Sequence, residues 1–375
     1  MLLRKFVVGL LAMVVLGFTN ASLAADNYYQ LKLPEEDTIG QFHGSPDDAD
    51  LVLFMAGNQF VVMDLLVAEF KKQYPVVKNI FYVTLPPGQL LNWILADGIE
   101  LKADHSLIPE GFRFKVKPDV YTTVNKQDMD ALFNAGLITR YYTYAHNRLV
   151  YMVRAADTLA GRTLSPSELY ALLTDPTVKI SEPNILTQGI ERQFWQMYVE
   201  LSKTLYPTDP AIQALNLTML DPAQLANDPA HSLRRIVYHD KVIAGTTIIN
   251  HIHHLETPIW LRQNLVRTGP VWATEALYQT KRLGETDLSS FEIGGNGLDG
   301  KPLNRRTKVN YLGTIVEGKM NPEHRIAAKN WIEFLRSSAA QAILVDGGFV
   351  AGTPTELAAP FIYPNSGALN RVEPY

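Results

Sequence analysis

The sequence predicts an α/β fold with a largely parallel sheet, and three observations carry that prediction. First, Leu51-Val52-Leu53-Phe54-Met55 is apolar on both alternating faces, the pattern of a strand buried on both sides. Second, such runs are followed by a Gly- or Pro-bearing turn and then by helical apolar spacing, as in Val62, Leu65, Leu66, Ala68 and Phe70. Third, strand, turn and helix then alternate along the chain, which is the order that builds parallel sheets. Without its leader the chain keeps about 350 residues, more than one ordinary core and suited to two lobes.

The elements follow in order. Arg4 and Lys5 precede an apolar run from Phe6 to Phe18 and the small residues Ala21-Ser22-Leu23-Ala24-Ala25, so residues 1–25 read as an export signal cleaved after Ala24 or Ala25. The run is too short to span a bilayer comfortably. Residues 26–49 are polar, acidic and broken by Pro34, Gly40, Gly44 and Pro46, and are expected to form an irregular leader. Leu51–Met55 is a strand and Val61–Tyr74 a helix ended by Pro75. Asn79–Thr84 is a strand and Gln89–Ala96 a helix after the turn Pro86-Pro87-Gly88. Residues 97–117 read as an inserted excursion. Strands are then expected at 118–121, 148–153, 241–249, 269–272 and 310–315, with helices at 126–135, 165–173, 190–206, 257–265 and 322–337.

Composition excludes several classes. The chain has no cysteine, so disulfides, thiolate metal sites and cysteine nucleophiles are absent, and the fold must hold by burial alone. Lys and Arg total 34 against 38 Asp and Glu, and Arg4 and Lys5 leave with the signal, so there is no basic footprint for nucleic acid. Neither a Gly-x-Ser-x-Gly elbow nor a phosphate loop ending in Lys-Ser or Lys-Thr occurs, and no enzymatic activity is expected.

Ligands of parallel α/β sheets sit at the carboxyl ends of the strands, where helix N-termini offer unpaired N–H groups to an anion. Two early turns, Gly57-Asn58-Gln59 and Gly88-Gln89, place glycine beside amide donors at such ends, as either ligand turns or ordinary βα turns. Asn250-His251-Ile252-His253-His254-Leu255-Glu256-Thr257-Pro258 is the densest polar cluster. Thr257-Pro258 reads as a helix N-cap and first-turn proline, making His254 and Glu256 part of a third cleft turn. A structural polar cluster and a metal site at His251, His253 and His254 remain open, although the His-x3-His spacing of a helical metal site is missing. Tyr141-Tyr142-Thr143-Tyr144 fits a packed hinge or strand end, or alternatively a sugar or tyrosinate iron site.

From about Asp50 to Thr353 the motifs occur in an order that resembles the type II periplasmic solute-binding proteins of ABC importers, the molybdate-binding group above all. The carriers are Leu51–Gln59 with Val61–Phe70, Pro118-Asp119-Val120-Tyr121, His146-Asn147-Arg148-Leu149-Val150, Gly269-Pro270-Val271-Trp272, and Asn321-Pro322 through Gly348-Phe349. The resemblance implies a two-lobe fold, each lobe a mostly parallel sheet flanked by helices: residues 50–145 with 305–375 as lobe one, 146–304 as lobe two. It implies a cleft lined by Gly57, Asn58, Gln59, Gly88, Gln89, Gln188, Gly189, His254, Glu256 and Trp272. It also implies a periplasmic monomer that captures a small ligand, an oxyanion of molybdate type, without a cofactor. The partner would be an inner-membrane ABC permease, or alternatively a sensor kinase. Where the group presents serine hydroxyls and a tyrosine, this sequence has Asn58, Gln89 and Trp272, so the scaffold transfers better than the ligand.

Overall fold

The structure, a computed structural model, describes residues 27–32, 38–101, 112–184, 189–250, 256–282, 284, 286–318 and 320–364. Among the described residues, seventeen strands and the helices around them form two large mixed sheets and one small hairpin. The export signal, Gln188, His251, His253 and His254 lie outside the described residues. No helix among the described residues is long and apolar enough to cross a membrane.

Strands β1 (Asn27–Lys32) and β2 (Thr38–His43) open the chain. Strand β3 (Leu51–Ala56) is buried throughout and leads through a 3₁₀ turn, Gly57–Gln59, into helix α1 (Phe60–Gln73). Strand β4 (Ile80–Leu85), also wholly buried, leads into α2 (Pro87–Leu95), where proline occupies the first turn and forfeits no helical hydrogen bond. Strands β5 (Ile99–Leu101) and β6 (Phe112–Phe114) pair antiparallel within the inserted excursion. Then come β7 (Val120–Thr123), α3 (Lys126–Asn134) and β8 (Arg140–Asn147).

The next part of the chain builds the second sheet. It comprises β9 (Leu149–Arg154), β10 (Thr163–Leu164), α4 (Pro166–Thr174), β11 (Ile180–Glu182), α5 (Gly189–Leu205), β12 (Thr247–Ile249), α6 (Glu256–Arg262), β13 (Thr268–Trp272), α7 (Ala273–Leu277) and β14 (Leu288–Ile293). Ser165 caps α4 in a reciprocal box with Glu168, whose N–H donates to Ser165 Oγ while its carboxylate accepts from Ser165 N–H at 2.8 Å. The chain then returns through β15 (Val309–Ile315), α8 (Pro322–Leu335), α9 (Ser338–Asp346), β16 (Val350–Ala351), α10 (Pro354–Ala358) and β17 (Phe361–Ile362).

The first sheet runs β1-β2-β4-β3-β7-β15-β8-β16, with β17 pairing β8, and the second runs β10-β14-β9-β13-β11-β12. Both sheets are mixed, and of the two only the second is mostly parallel as expected, with β10-β14 and β12-β11-β13 parallel. In the first sheet only β4-β3-β7 is a parallel trio, and the remaining pairings are antiparallel. In the second, β12-β11-β13 is parallel while β9 runs antiparallel to both its neighbours. The strands that carry the chain between sheets, β8, β9 and β15, are inserted against the local direction, which alternating motifs in the sequence do not reveal.

Three further expectations change. The leader is not irregular, because β2 joins the open edge of β4 and is anchored by aromatics. Phe42 is 3 % exposed and meets Phe81 and Trp93, and His43 stacks on Tyr82 at 4.3 Å. The strand expected over 241–249 is confined to Thr247–Ile249. Residues 236–243 are helical, and Lys241 is buried with Nζ donating to the carbonyl oxygens of Asp175 and Val178. Thr257 is not a cap, since α6 already starts at Glu256. Pro258 still falls in the first turn, where its missing N–H costs nothing.

The sheets are joined where β8 passes into β9 at Asn147–Leu149 and where residues 294–308 return to β15, and Leu149 N–H donates to Asn304 O at 2.7 Å across the two crossings. Arg305 is fully buried in the return strap, bonded to Glu200 of α5 at 3.0 Å and to Gln193 O. Lys308 bonds the other Glu200 oxygen at 2.8 Å. Arg305→Ala is expected to destabilise the protein by about 1–3 kcal/mol in urea unfolding, because it removes a buried cation from one Glu200 oxygen while Lys308 keeps the other.

Candidate functional site

The two early turns lie side by side. Ala56 pairs with Leu85 at the ends of parallel β3 and β4, so both chains turn at the same edge. A Cβ on Gly57 would come within 3.3 Å of the Leu85 carbonyl carbon, so only glycine permits that approach without displacement. Gly88 is exposed, and a Cβ there would meet nothing within 4 Å; Gln89 is half-buried beside it. Tyr121 secures the second turn by donating to Pro87 O at 2.9 Å.

The side chain of Gln59 is fully buried and bonded within the first sheet. Its Oε1 accepts from Ala56 N–H at 3.1 Å and from Thr122 Oγ1 at 2.7 Å, and its Nε2 bonds the Tyr144 hydroxyl. The amide is consumed in tying β3 to β7 and β8. Trp272 likewise lies in the main apolar cluster at 4 % exposure, with its backbone N–H donating to Glu275 at 3.3 Å. Gly189 and Glu256 stand at the starts of α5 and α6, and Glu256 is buried.

Asn58 takes a different part. Its Nδ2 donates to the Tyr311 hydroxyl, which also accepts from Asn147 Nδ2 at 3.2 Å. Asn147 in turn donates to Thr274 Oγ1 at 3.2 Å. One buried network thus links the β3 turn, β15, the end of β8 and the first turn of α7, drawing on both sheets. Tyr311 receives two N–H donors, so its own proton is left to give, and burial raises its pKa far above the phenolic range. Thr274 accepts from Asn147 and keeps its hydroxyl proton in the same way. The four residues of this network are uncharged, and Tyr311 and Thr274 keep hydroxyl protons to give.

A second polar group lies at the carboxyl end of β11. Glu182 is fully buried and accepts from Tyr198 at 2.6 Å and Tyr238 at 3.1 Å, and Tyr151 bonds Tyr198 at 2.6 Å. Burial pushes its carboxyl up to about 8, outweighing the two phenol bonds and the charge of Lys241. Glu191, in the first turn of α5, is pushed up to about 9 by burial, with Arg192 opposing and Glu182 adding to the rise. On the other face, Ser181 bonds Asn250 at 3.1 Å and Thr257 at 2.7 Å, and a Cβ on Gly269 would strike both Thr257 and Ser181. Among the described residues, no group of three or more His, Asp or Glu is placed to hold a metal, and the three histidines fall outside them.

A family model described as bacterial extracellular solute-binding protein matches residues 51–350. The chain belongs to that family. Members are binding proteins that serve transport, and their fold is shared at low identity by solved structures. The periplasmic molybdate-binding protein of Azotobacter vinelandii is 12% identical, with a TM-score of 0.51 over 81% of this chain and 100% of its own. A substrate-binding domain from Clostridium difficile, assigned to a molybdenum ABC transporter, is 15% identical, with a TM-score of 0.51 over 81% and 99%. The substrate-binding protein of an ABC transporter from Agrobacterium tumefaciens is 12% identical, with a TM-score of 0.51 over 81% and 80%. No curated protein matches the chain by sequence.

Sequence reasoning missed Asn147, Thr274, Tyr311, Glu182 and Glu191. None of the five stood out locally: Glu182 follows Lys179 and Ser181 and ends a strand of only three residues, Ile180–Glu182. Two outcomes are expected. Tyr311→Phe removes the shared acceptor of two buried amides and should cost about 1–3 kcal/mol in chemical denaturation. Burial holds both acids protonated well above the ordinary glutamate range, so the unfolded chain ionises first and stability falls as pH rises from about 4.5 to about 9. Glu191→Gln should flatten that decline and raise the melting temperature at about pH 8, as followed by calorimetry across the range.

Proposed function

We propose that this chain is a periplasmic solute-binding protein that captures a small oxyanion between two lobes and presents it to an ABC permease of the inner membrane. Residues 50–145 with 305–375 form lobe one and 146–304 lobe two, and residues 1–25 direct export and are removed. The observation that carries this reading is the donor network Asn58, Tyr311, Asn147 and Thr274 at the junction of the sheets. It offers hydroxyl and amide protons without a fixed positive charge.

Uncharged donors suit capture followed by release. N–H and O–H dipoles replace the water stripped from an anion, and neighbouring helix N-termini add to the favourable field. A guanidinium or ammonium in the same place would hold the load more tightly against transfer. Gly57, Asn58, Gly88 and Gln89 would serve from lobe one, and Gly189, Glu256 and the Trp272–Thr274 turn from lobe two. Gln188 and His254 complete the proposed lining. Gln59 and the Trp272 indole act by holding the scaffold, consistent with their buried bonds and packing. The ligand shifts the balance between open and closed arrangements by binding the closed one better.

A melting-temperature screen with molybdate, tungstate, sulfate, phosphate, metal ions, sugars and amino acids tests the reading. An oxyanion at about a hundred times its Kd should stabilise the protein by ~2.7 kcal/mol. Thr274→Val should reduce that shift while leaving the ligand-free melting point within a few degrees. Stabilisation by a sugar or a metal ion with no response to any oxyanion would overturn it.

A further inference from the structure

Capture by the junction network leaves the acid pair beneath α5 without a part. Glu191 is 1 % exposed, and its Oε1 has no hydrogen-bond partner. Trp195, one turn further along the same helix face, is fully buried, and its indole N–H is unpartnered too. Its ring lies 5.9 Å from that of Tyr238, which is close enough to Glu182 and Glu191 to feel both charges. A buried carboxyl oxygen and a buried donor left open on one face cost stability unless something satisfies them.

The position of Glu191 points to what does. Helix α5 follows β11, so its first turn stands at the carboxyl end of that strand, the ligand end of such a unit. Glu191 lies two turns, ~10 Å along the axis, before Tyr198, the partner of Glu182. It stands at the N-terminal end of α5, ahead of the residue that holds Glu182. The groups that act on it are Glu182 from β11 and Arg192 beside it, with Trp195 one turn along α5 and Tyr238 from the helix at 236–240 within reach of its charge. Tyr151 from β9 and Lys241 lie behind Glu182. An ionised carboxylate there would repel an anion, whereas a neutral carboxyl is a donor.

We propose that Glu191 is a ligand-contacting residue of the second lobe, giving the captured oxyanion a hydrogen bond from its neutral carboxylic acid. The assignment rests on the oxyanion reading above. Glu182, held by Tyr198 and Tyr238, supplies the neighbouring acid that disfavours ionisation of Glu191. Binding is then linked to the proton: the anion binds the protonated form, and affinity is lost as pH rises through the range in which burial holds this carboxyl, about 9.

Calorimetric titration of the full exported chain with sulfate and with molybdate, from about pH 6 to about pH 10, tests the assignment, since neither anion changes its own charge there. The wild-type affinity should be flat to about pH 8 and then fall by up to ~10-fold per pH unit above about 9. Glu191→Gln, which keeps an uncharged donor, should bind within a few-fold of wild type and lose that dependence. Glu191→Ala should bind at least ~10-fold more weakly at neutral pH. Wild-type affinity that is flat or rises with pH, or undiminished binding by Glu191→Ala, overturns the role of Glu191 and leaves capture intact. If neither anion binds the wild-type chain at any pH, the oxyanion reading fails and this assignment falls with it.

Discussion

The hydrogen bonds that converge on the Tyr311 hydroxyl hold the molecule's two sheets in one register. Asn58 approaches from the turn after β3, Asn147 from the last residue of β8, and Asn147 passes the connection on to Thr274 at the start of α7. All four residues are buried, so each bond is made where an unmade one would carry the full desolvation penalty. The chain crosses between the sheets at this same place, and Leu149 N–H bonded to Asn304 O binds the two crossings together. The donor site is thus a by-product of the constraint that keeps the two halves aligned.

Charge is arranged around that junction rather than in it. The cations near the crossings are spent on carboxylates: Arg305 and Lys308 on Glu200, and Arg148 on Glu292 at 3.0 Å. The donors that remain are amides, hydroxyls and helix N-termini, which solvate an anion without a formal countercharge. Below α5 the logic is inverted, since Glu182 and Glu191 are buried among phenols and burial favours their neutral forms. A carboxyl kept neutral in this way joins the set of uncharged donors rather than opposing it.

The alternation of buried strands and amphipathic helices was legible because burial on both faces leaves an unbroken apolar run, as in Leu51–Met55 and the later Leu149–Val153. The helix caps are local as well, Ser165 with Glu168 and Asn321 before Pro322. The leader strands were not, because β2 owes its conformation to the edge of β4 and to rings from Phe81, Trp93 and Tyr82 that lie far along the chain. Gln59 is the converse case, since its amide suits a ligand turn in sequence while in the fold it bonds Ala56, Thr122 and Tyr144.

By itself the sequence determined the α/β class, the strand-turn-helix units, the absence of disulfides and the edge at which Gly57 and Gly88 turn. These follow from burial periodicity and from backbone preferences that act within a few residues. Only the tertiary structure decided that the sheets are mixed, that Asn58 meets Thr274 through Tyr311 and Asn147, and that Glu191 faces Glu182. Those contacts join residues many positions apart, and no local pattern encodes which buried donor will find which acceptor. Desolvation makes that choice, by leaving each buried polar group only the partners that folding brings within reach.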